Sequence, residues 1–274
     1  MRTVRSVFLA ASTAFCLGAA NPAAAVVATA SLDWANLQIF TLGIPGSPAP
    51  SYMLTQQFTN WSTNATTVND SNDYHTHSAA NWTSSLSITS DTPNASAAAL
   101  ASSAAFSTNA ATSDSFSSNP FLTNTAGGSV SRSATLLLNQ PMAVIFSVPY
   151  SISVDGPQFD FSRHAMASVS GSAAFSPNVC CAFENSSRSF SLDSYYGGSS
   201  ALNGTMFFGL VVDAEGVLNV SFSAVTSATS PDPVPEPSVA LSLLAGLGVL
   251  CTIFRRRLAG GGWLERHPVP GVMS

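Results

Sequence analysis

The sequence predicts an all-β exported domain, an antiparallel β-sandwich or jelly-roll-like fold, between an N-terminal signal peptide helix and one C-terminal transmembrane helix. Apolar residues alternate with Ser, Thr and Asn in many short runs, which is the pattern of half-buried strands. Clusters of Gly, Pro, Asn and Ser separate these runs, as turns do. One longer apolar segment stands near each end of the chain. These three observations define the predicted fold class.

Residues 1–25 are predicted to be a secretory signal peptide. Two arginines precede an apolar run at 7–20, and three alanines at 23–25 follow it. A basic start, an apolar core and small residues at the cleavage point are the features of such peptides. As a helix the run spans about 21 Å, less than the ~30 Å hydrocarbon layer of a membrane. Cleavage is predicted after Ala25, and cleavage after Ala30 is the alternative.

The strongest strand signal lies at Ala143–Val154. Six apolar residues occupy alternate positions and serines fill several of the others, so one face is predicted to be buried. The apolar face consists of Val144, Phe146, Val148, Tyr150, Ile152 and Val154. Pro149 lacks an N–H donor, which predicts an edge strand or a bulge.

The next strongest signal lies at Gly204–Ala224. Alternating apolar residues run into the turn-like sequence Asp213-Ala214-Glu215-Gly216 and alternate again after it. Two alternating runs joined by turn residues predict a β-hairpin.

Weaker strand signals fill the rest of the predicted exported domain, residues 26–226. The Ala/Ser tract at 94–118 is predicted to be strand or loop, with helix as the alternative, because its Ser, Thr and Asn side chains compete with a helical backbone. Residues 227–237 are predicted to be a Pro-rich linker. The weaker strand candidates are Leu32–Leu42, Ser51–Trp61, Trp82–Ser90, Ser129–Leu138, Ala165–Phe175 and Ser187–Ser194.

The C-terminal region combines three features. Val234-Pro235-Glu236-Pro237 forms a stiff extended stem, because proline fixes φ and disfavours helix in the residue before it. The apolar segment at 238–254 is predicted to be a transmembrane helix of roughly 25 Å. Arg255-Arg256-Arg257 places residues 255–274 in the cytoplasm by the positive-inside rule. We expect the part that follows the arginines to be disordered.

This tripartite pattern resembles the PEP-CTERM sorting signal of Gram-negative bacteria. The resemblance covers the 24 residues from Val234 to Arg257 and implies recognition by an exosortase, a membrane transpeptidase-like enzyme. It implies an inner-membrane-anchored intermediate that later reaches the cell surface or the extracellular matrix. Such proteins usually accompany exopolysaccharide and biofilm. Family members usually end soon after the arginines, whereas this chain continues through 258–274.

The composition excludes nucleic-acid binding. Only 8% of the residues are charged and Lys is absent, against about 25% charged residues in ordinary domains. Between Val26 and Pro237 three arginines stand against thirteen Asp or Glu, a net charge of −10. Binding of nucleic acid or anionic lipid by charge neutralisation needs a basic surface. We therefore expect no nucleic-acid partner for the exported domain.

Metal-capable side chains cluster at one place, around Asp70, Asp73, His75 and His77. On a strand the two histidines would share a face, and carboxylates are the ligands that Ca²⁺ prefers. The cluster lacks the glycine and the terminal glutamate of an EF-hand loop. We expect a solvated polar loop and no metal or other cofactor.

Cys180 and Cys181 are adjacent, while the other two cysteines belong to the terminal apolar segments. In an oxidising compartment the adjacent pair could form a vicinal disulfide, an intermolecular disulfide, or two unreacted thiols. The sequence leaves these three states open.

No catalytic motif is recognisable, so the domain is not expected to be an enzyme. Asp160, His164 and one of many serines could be combined into a triad, but no Gly-x-Ser-x-Gly turn accompanies them. A structural or interaction role is the first hypothesis, a carbohydrate-binding module is the second, and a hydrolase is the third. Coplanar exposed aromatic side chains would favour carbohydrate binding, and buried ones would favour a scaffold. The aromatic candidates are Trp61, Trp82, Tyr195 and Tyr196.

Overall fold

A computed structural model describes residues 26–43, 46, 49–67, 72–113, 123–160, 162–178 and 183–231. The predicted signal peptide, the apolar segment at 238–254 and the arginine cluster lie outside these residues. Within the described ranges, none of the helices combines the length and the apolar character that a membrane crossing requires.

The described residues form two antiparallel sheets, and the predicted antiparallel β-sandwich is confirmed. Sheet A has the order β12-β9-β1-β7-β6-β5, and β2 pairs with β9 beside β1. Its strands are β1 (Val26–Leu32), β2 (Gln38–Gly43), β5 (Leu86–Thr92), β6 (Ala95–Ala101), β7 (Phe106–Thr112), β9 (Met142–Asp155) and β12 (Ser200–Val212).

Sheet B packs against sheet A and has the order β11-β10-β13-β8-β3-β4. A 3-10 turn at Trp34–Asn36 links β1 to β2, and the one-turn helix α1 (Ser194–Gly197) precedes β12. The strands of sheet B are β3 (Tyr52–Thr66), β4 (Asn72–Ala79), β8 (Thr123–Leu138), β10 (His164–Pro177), β11 (Glu184–Asp193) and β13 (Gly216–Pro231).

The core is built from the inward faces of both sheets. The predicted apolar face of β9 is confirmed, since Val144, Phe146 and Ile152 are 0% exposed. Phe222 on β13 lies at the centre of an aromatic cluster and contacts four other rings at centroid distances of 5.2 to 6.3 Å. These rings belong to Trp34, Trp82, Phe146 and Phe208. Alternation along each strand therefore sends one half of the side chains into a shared core.

Pro149 lies in an interior strand, so the predicted edge or bulge is wrong. β9 pairs with β12 along one side and with β1 and β2 along the other, in continuous register on each. The carbonyl of Pro149 accepts a bond of 2.8 Å from the backbone N–H of Asp33, in the break between β1 and β2. The proline nitrogen faces the same side as its carbonyl. The missing donor therefore coincides with the interruption of the ladder.

The predicted hairpin at Gly204–Ala224 is also wrong. β12 pairs with β9 in sheet A, whereas β13 pairs with β8 and β10 in sheet B. The Asp213–Glu215 connection therefore crosses from one sheet to the other. Alternation and turn residues are the same for a hairpin and for such a crossing, and only the pairing partners distinguish them.

The Ala/Ser tract forms strands, as predicted, and the described part of it contains no helix. β6 and β7 place alanines on the inward face, where small side chains allow the two sheets to approach closely. A Cβ at Gly128 of β8 would lie 2.9 Å from the carbonyl oxygen of Ala98. The predicted start of the linker at residue 227 is also wrong, because β13 continues to Pro231.

Both ends of the described chain emerge at the same end of the sandwich. Val26 pairs with Thr112, and the hydroxyl of Ser230 donates a 2.9 Å bond to the carbonyl of Ser113. We call this the proximal end. The opposite end, where β9 begins and β12 stops, is called the distal end.

Candidate functional surfaces

The predicted metal-capable cluster lies on a strand, so the expectation of a loop is wrong for residues 72–79. Asp73, His75 and His77 occupy alternate positions of β4, the edge strand of sheet B. Polar residues are compatible with an edge strand because one of its sides needs no partner strand. The three residues share the inward face with the β3 residues that they oppose, which are Ala65, Thr63 and Trp61.

The contacts of Asp73 are structural. Its carboxylate lies 3.0 Å from Nε2 of His75 and accepts a 2.8 Å bond from the backbone N–H of Asp91 on β5. The ring of His77 packs against Trp61 at a centroid distance of 5.5 Å. Asp70 lies outside the described residues, and within these no three metal-capable side chains are placed so that they could hold one metal ion. The cluster thus joins the edges of the two sheets, and the carboxylate of Asp73 deters pairing with another strand.

The four candidate aromatic residues do not form a platform for sugar rings. Trp61 is 2% exposed and Trp82 is 8% exposed, so both belong to the core. Tyr196 is 71% exposed, but its ring stands at 85° to that of Tyr195. By the criterion of coplanar exposed rings, this set favours a scaffold over a stacking site.

Asp160 stabilises a turn. Its carboxylate accepts bonds from the hydroxyl and N–H of Ser162 and from the N–H of Arg163, at 2.6 to 3.2 Å. Burial raises the pKa of Asp160. The hydrogen bonds and the charge of Arg163 together lower the pKa by more than burial raises it, so the pKa lies below its ordinary value. A carboxylate in such a turn is a local structural element. Cys180 and Cys181 lie outside the described residues.

Serines form a regular array on the outer face of sheet B. The central row crosses all six strands in register, and its members are Ser189, Ser170, Ser223, Ser131, Asn60 and Ser78. The two flanking rows are Ser187, Ser172, Ser221, Ser133 and Phe58, and Ser191, Ser168, Val225, Ser129, Ser62 and Thr76. No side chain in these three rows is charged. We call this surface the hydroxyl face.

Neighbouring strands of the face are about 4.8 Å apart, and successive outward residues of one strand are about 7 Å apart, as sheet geometry requires. The hydroxyls of Ser170 and Ser223 are 2.8 Å apart and hydrogen-bonded. Sequence reasoning missed this surface. Its signal was Ser at every second position within β8, β10, β11 and β13, but only the register places the serines of different strands side by side.

Arg132 is buried in the core. Like Val130 and Ala134, it occupies an inward-facing position of β8, and it is 0% exposed. Its guanidinium lies 4.6 Å from the ring centroid of Trp34 and donates one bond of 2.9 Å to the carbonyl of Ser102. Nε and Nη1 have no hydrogen-bond partner among the described residues. Burial lowers the pKa of Arg132 to about 10.

Replacement of Arg132 tests the cost of this buried charge. Arg132→Met is expected to raise the free energy of unfolding at pH 7 by about 1–2 kcal/mol, because a similar volume remains while the unpaired donors are removed. Arg132→Ala is expected to lower it by about 2–4 kcal/mol, because a cavity remains. Urea denaturation measures both values.

The advantage of Arg132→Met is expected to depend on pH. The lowered pKa means that the folded protein releases the guanidinium proton more readily than the unfolded chain. Wild-type stability from this group therefore rises as the pH increases through about 10, where the unfolded chain binds more protons. The stability difference between the Met variant and the wild type should therefore shrink as the pH rises above about 10. A constant difference would contradict the lowered pKa of Arg132.

The described residues define the class of protein as a two-sheet β-sandwich with a polar, uncharged face, an architecture that serves many functions. The particular assignment comes from the C-terminal tail, where residues 233–257 match the family model of the PEP-CTERM protein-sorting motif. No curated protein and no solved structure matches the chain. The chain carries a PEP-CTERM sorting motif, as the sequence predicted. The motif supports an exported surface protein that is membrane-anchored during sorting and processed by an exosortase.

Proposed function

We propose that the β-sandwich is a non-catalytic structural or interaction module of the extracellular matrix, delivered by the sorting tail to the cell surface of a Gram-negative bacterium. Its hydroxyl face contacts the exopolysaccharide of that matrix. The single observation that carries this proposal is the uncharged array of hydroxyl and amide groups across six strands. Its outward side chains are half-buried or exposed, so a polymer can reach them.

The chemistry of the face favours a neutral, hydroxyl-rich polymer. Each serine hydroxyl is both a donor and an acceptor, and so is each sugar hydroxyl. The chain between Val26 and Pro237 carries a net charge of −10, so an acidic polymer would be repelled. Single hydroxyl contacts contribute about 1 kcal/mol or less. Binding therefore requires many parallel contacts along a chain, and a flat repeating surface provides them.

A neutral polysaccharide such as dextran tests the proposal in affinity gel electrophoresis. The triple variant Ser131→Val, Ser170→Val and Ser223→Val removes three adjacent hydroxyls and keeps strand-favouring side chains. We expect dextran to retard the wild-type chain and to bind the variant about tenfold more weakly, because about 1 kcal/mol per lost hydrogen bond more than accounts for that factor.

The matched control is a serine row on the outer face of sheet A, which the proposal does not use. Ser31, Ser107 and Ser151 lie side by side on β1, β7 and β9, and each is replaced by Val. This control is expected to bind dextran as the wild type does. Equal loss in both triple variants, or no retardation of the wild type, would contradict the role of the hydroxyl face.

A further inference from the structure

The outer face of sheet A carries an apolar patch at its distal end, across β2, β9 and β12. Two register rows define it. One row contains Phe40, Ile145 and Gly209, the other contains Leu42, Ala143 and Val211, and Phe207 lies beside them opposite Ser147. Phe40 is 46% exposed, Leu42 61%, Phe207 59% and Val211 74%. We call this surface the distal patch.

The distal patch differs from the rest of the same sheet face. Toward the proximal end the outward positions of β1, β7 and β9 are mostly Ser, Thr and Asn, including Ser31, Ser107 and Ser151. The four most exposed apolar side chains of the patch present on the order of 400 Å² of surface to water, which is the range of functional patches on soluble domains.

The strands that border the patch lack the features that normally protect a sheet edge. Charged side chains lie on the other edge strands: Asp73 on β4, Asp91 on β5 and Arg188 on β11. β2 and β12 contain no charged residue. Charges on edge strands discourage association with other chains, so their absence beside an apolar surface indicates a contact surface.

The position of the patch excludes the stem of this chain's own tail as its occupant. Ten residues of β9 separate Ile145 from the proximal residue Asp155, about 33 Å at ~3.3 Å per residue. The described chain ends at Pro231, at the proximal end. The six residues from 232 to 237 reach at most ~20 Å. A stem of this length is too short to reach the patch.

We propose that the distal patch is a self-association surface on which a second copy of this chain docks by an isologous contact. Each copy carries many negative charges, and a surface without charge lets two such copies meet without burying unpaired ions. A standard interface buries about 800 Å² per partner, of which about 57%, or roughly 450 Å², is apolar. The apolar area of the patch matches this requirement.

Gly209 lies at the centre of the patch and adds no side chain to it. A Cβ at Gly209 would collide with the carbonyl oxygen of Val144, because β12 lies very close to β9 there. No side chain therefore stands between Phe207 and Val211 on β12. A side chain of the second copy can pack over this glycine, between Phe207 and Val211, and such interdigitation gives protein interfaces their packing density.

Sedimentation equilibrium of the full chain in detergent micelles tests the proposal. We expect a monomer–dimer equilibrium for the wild type. In the double variant Phe207→Thr and Val211→Thr, dimerisation is expected to weaken at least about 30-fold, because truncation of central interface residues has effects of this size. Thr keeps the strand propensity of both positions, and far-UV circular dichroism checks the fold.

Val225→Thr is the matched control, since Val225 is 42% exposed on the outer face of sheet B and should leave dimerisation unchanged. A wild-type chain that stays monomeric at about 100 µM would overturn the proposal, since that concentration detects even weak dimers. Equal association of the double variant and the wild type would assign the contact to another region, such as the apolar tail. A monomer whose dextran binding falls in the double variant would assign the patch to a sugar polymer. Both outcomes refute self-association through the patch.

Discussion

Phe222→Ala is expected to lower the free energy of unfolding by about 3–5 kcal/mol, a large part of the total stability of a domain of this size. Phe222 on sheet B is 0% exposed and contacts the rings of Phe146 and Phe208 on sheet A. Its removal leaves a cavity between the sheets, and the rigid aromatic neighbours allow little collapse into it. Chemical denaturation monitored by circular dichroism measures the change.

Phe58→Ala is the matched control for this prediction. Phe58 is 45% exposed on the outer face of sheet B, so the same truncation creates no enclosed cavity. We expect a loss below about 1 kcal/mol, as for most surface substitutions. Similar losses at Phe58 and Phe222 would show that the aromatic cluster does not dominate the core.

Replacing Pro235, Glu236 and Pro237 by Ala is expected to reduce the rate of exosortase processing more than about tenfold. This factor corresponds to an increase of at least about 1.4 kcal/mol in the activation free energy. Proline fixes φ and disfavours helix in the residue before it, so we expect the two prolines to favour an extended stem. Alanines favour helix and are therefore expected to oppose an extended stem, and the glutamate is removed as well. Intact-mass measurement of the exported protein, from hosts with and without the exosortase, detects the change.

The chain offers a matched control for the stem in Pro268-Val269-Pro270, which has the same Pro-x-Pro form beyond the arginine cluster. Alanines at these three positions are expected to leave processing unchanged. A wild-type product that still contains the apolar segment and the arginines would show that the motif anchors the chain without being processed. Equal effects of both triple variants would show that the stem has no specific role.

The sorting motif could be recognised from the sequence because it is a linear signal. Its three parts follow one another within the matched residues 233–257, and each part acts through local properties: chain stiffness, hydropathy and charge. The buried face of β9 was predictable for a similar reason. Period-two alternation shows which side chains of one strand share a face, and Val144 to Ile152 follow it.

Pairing between strands was not predictable, and the wrong predictions follow from this. The run at Gly204–Ala224 looks like a hairpin, yet β12 and β13 pair with β9, β8 and β10, which are distant in sequence. A proline is excluded from an interior strand only where its nitrogen would face a ladder partner. The nitrogen of Pro149 faces the break between β1 and β2, so β9 can be an interior strand. The polar segment at 72–79 forms a strand because β3 offers an unpaired edge.

The sequence alone thus determined the sorting motif, the all-β class and the buried face of the strongest strand, since each depends on residues close together in the chain. Tertiary structure alone decided the hydroxyl face, the distal patch and the burial of Arg132. Each of these combines residues from strands far apart in sequence, and long-range register brings them together. Alternation assigns the residues of one strand to two faces, but only the pairing and packing of the sheets decide which residues of other strands lie beside them.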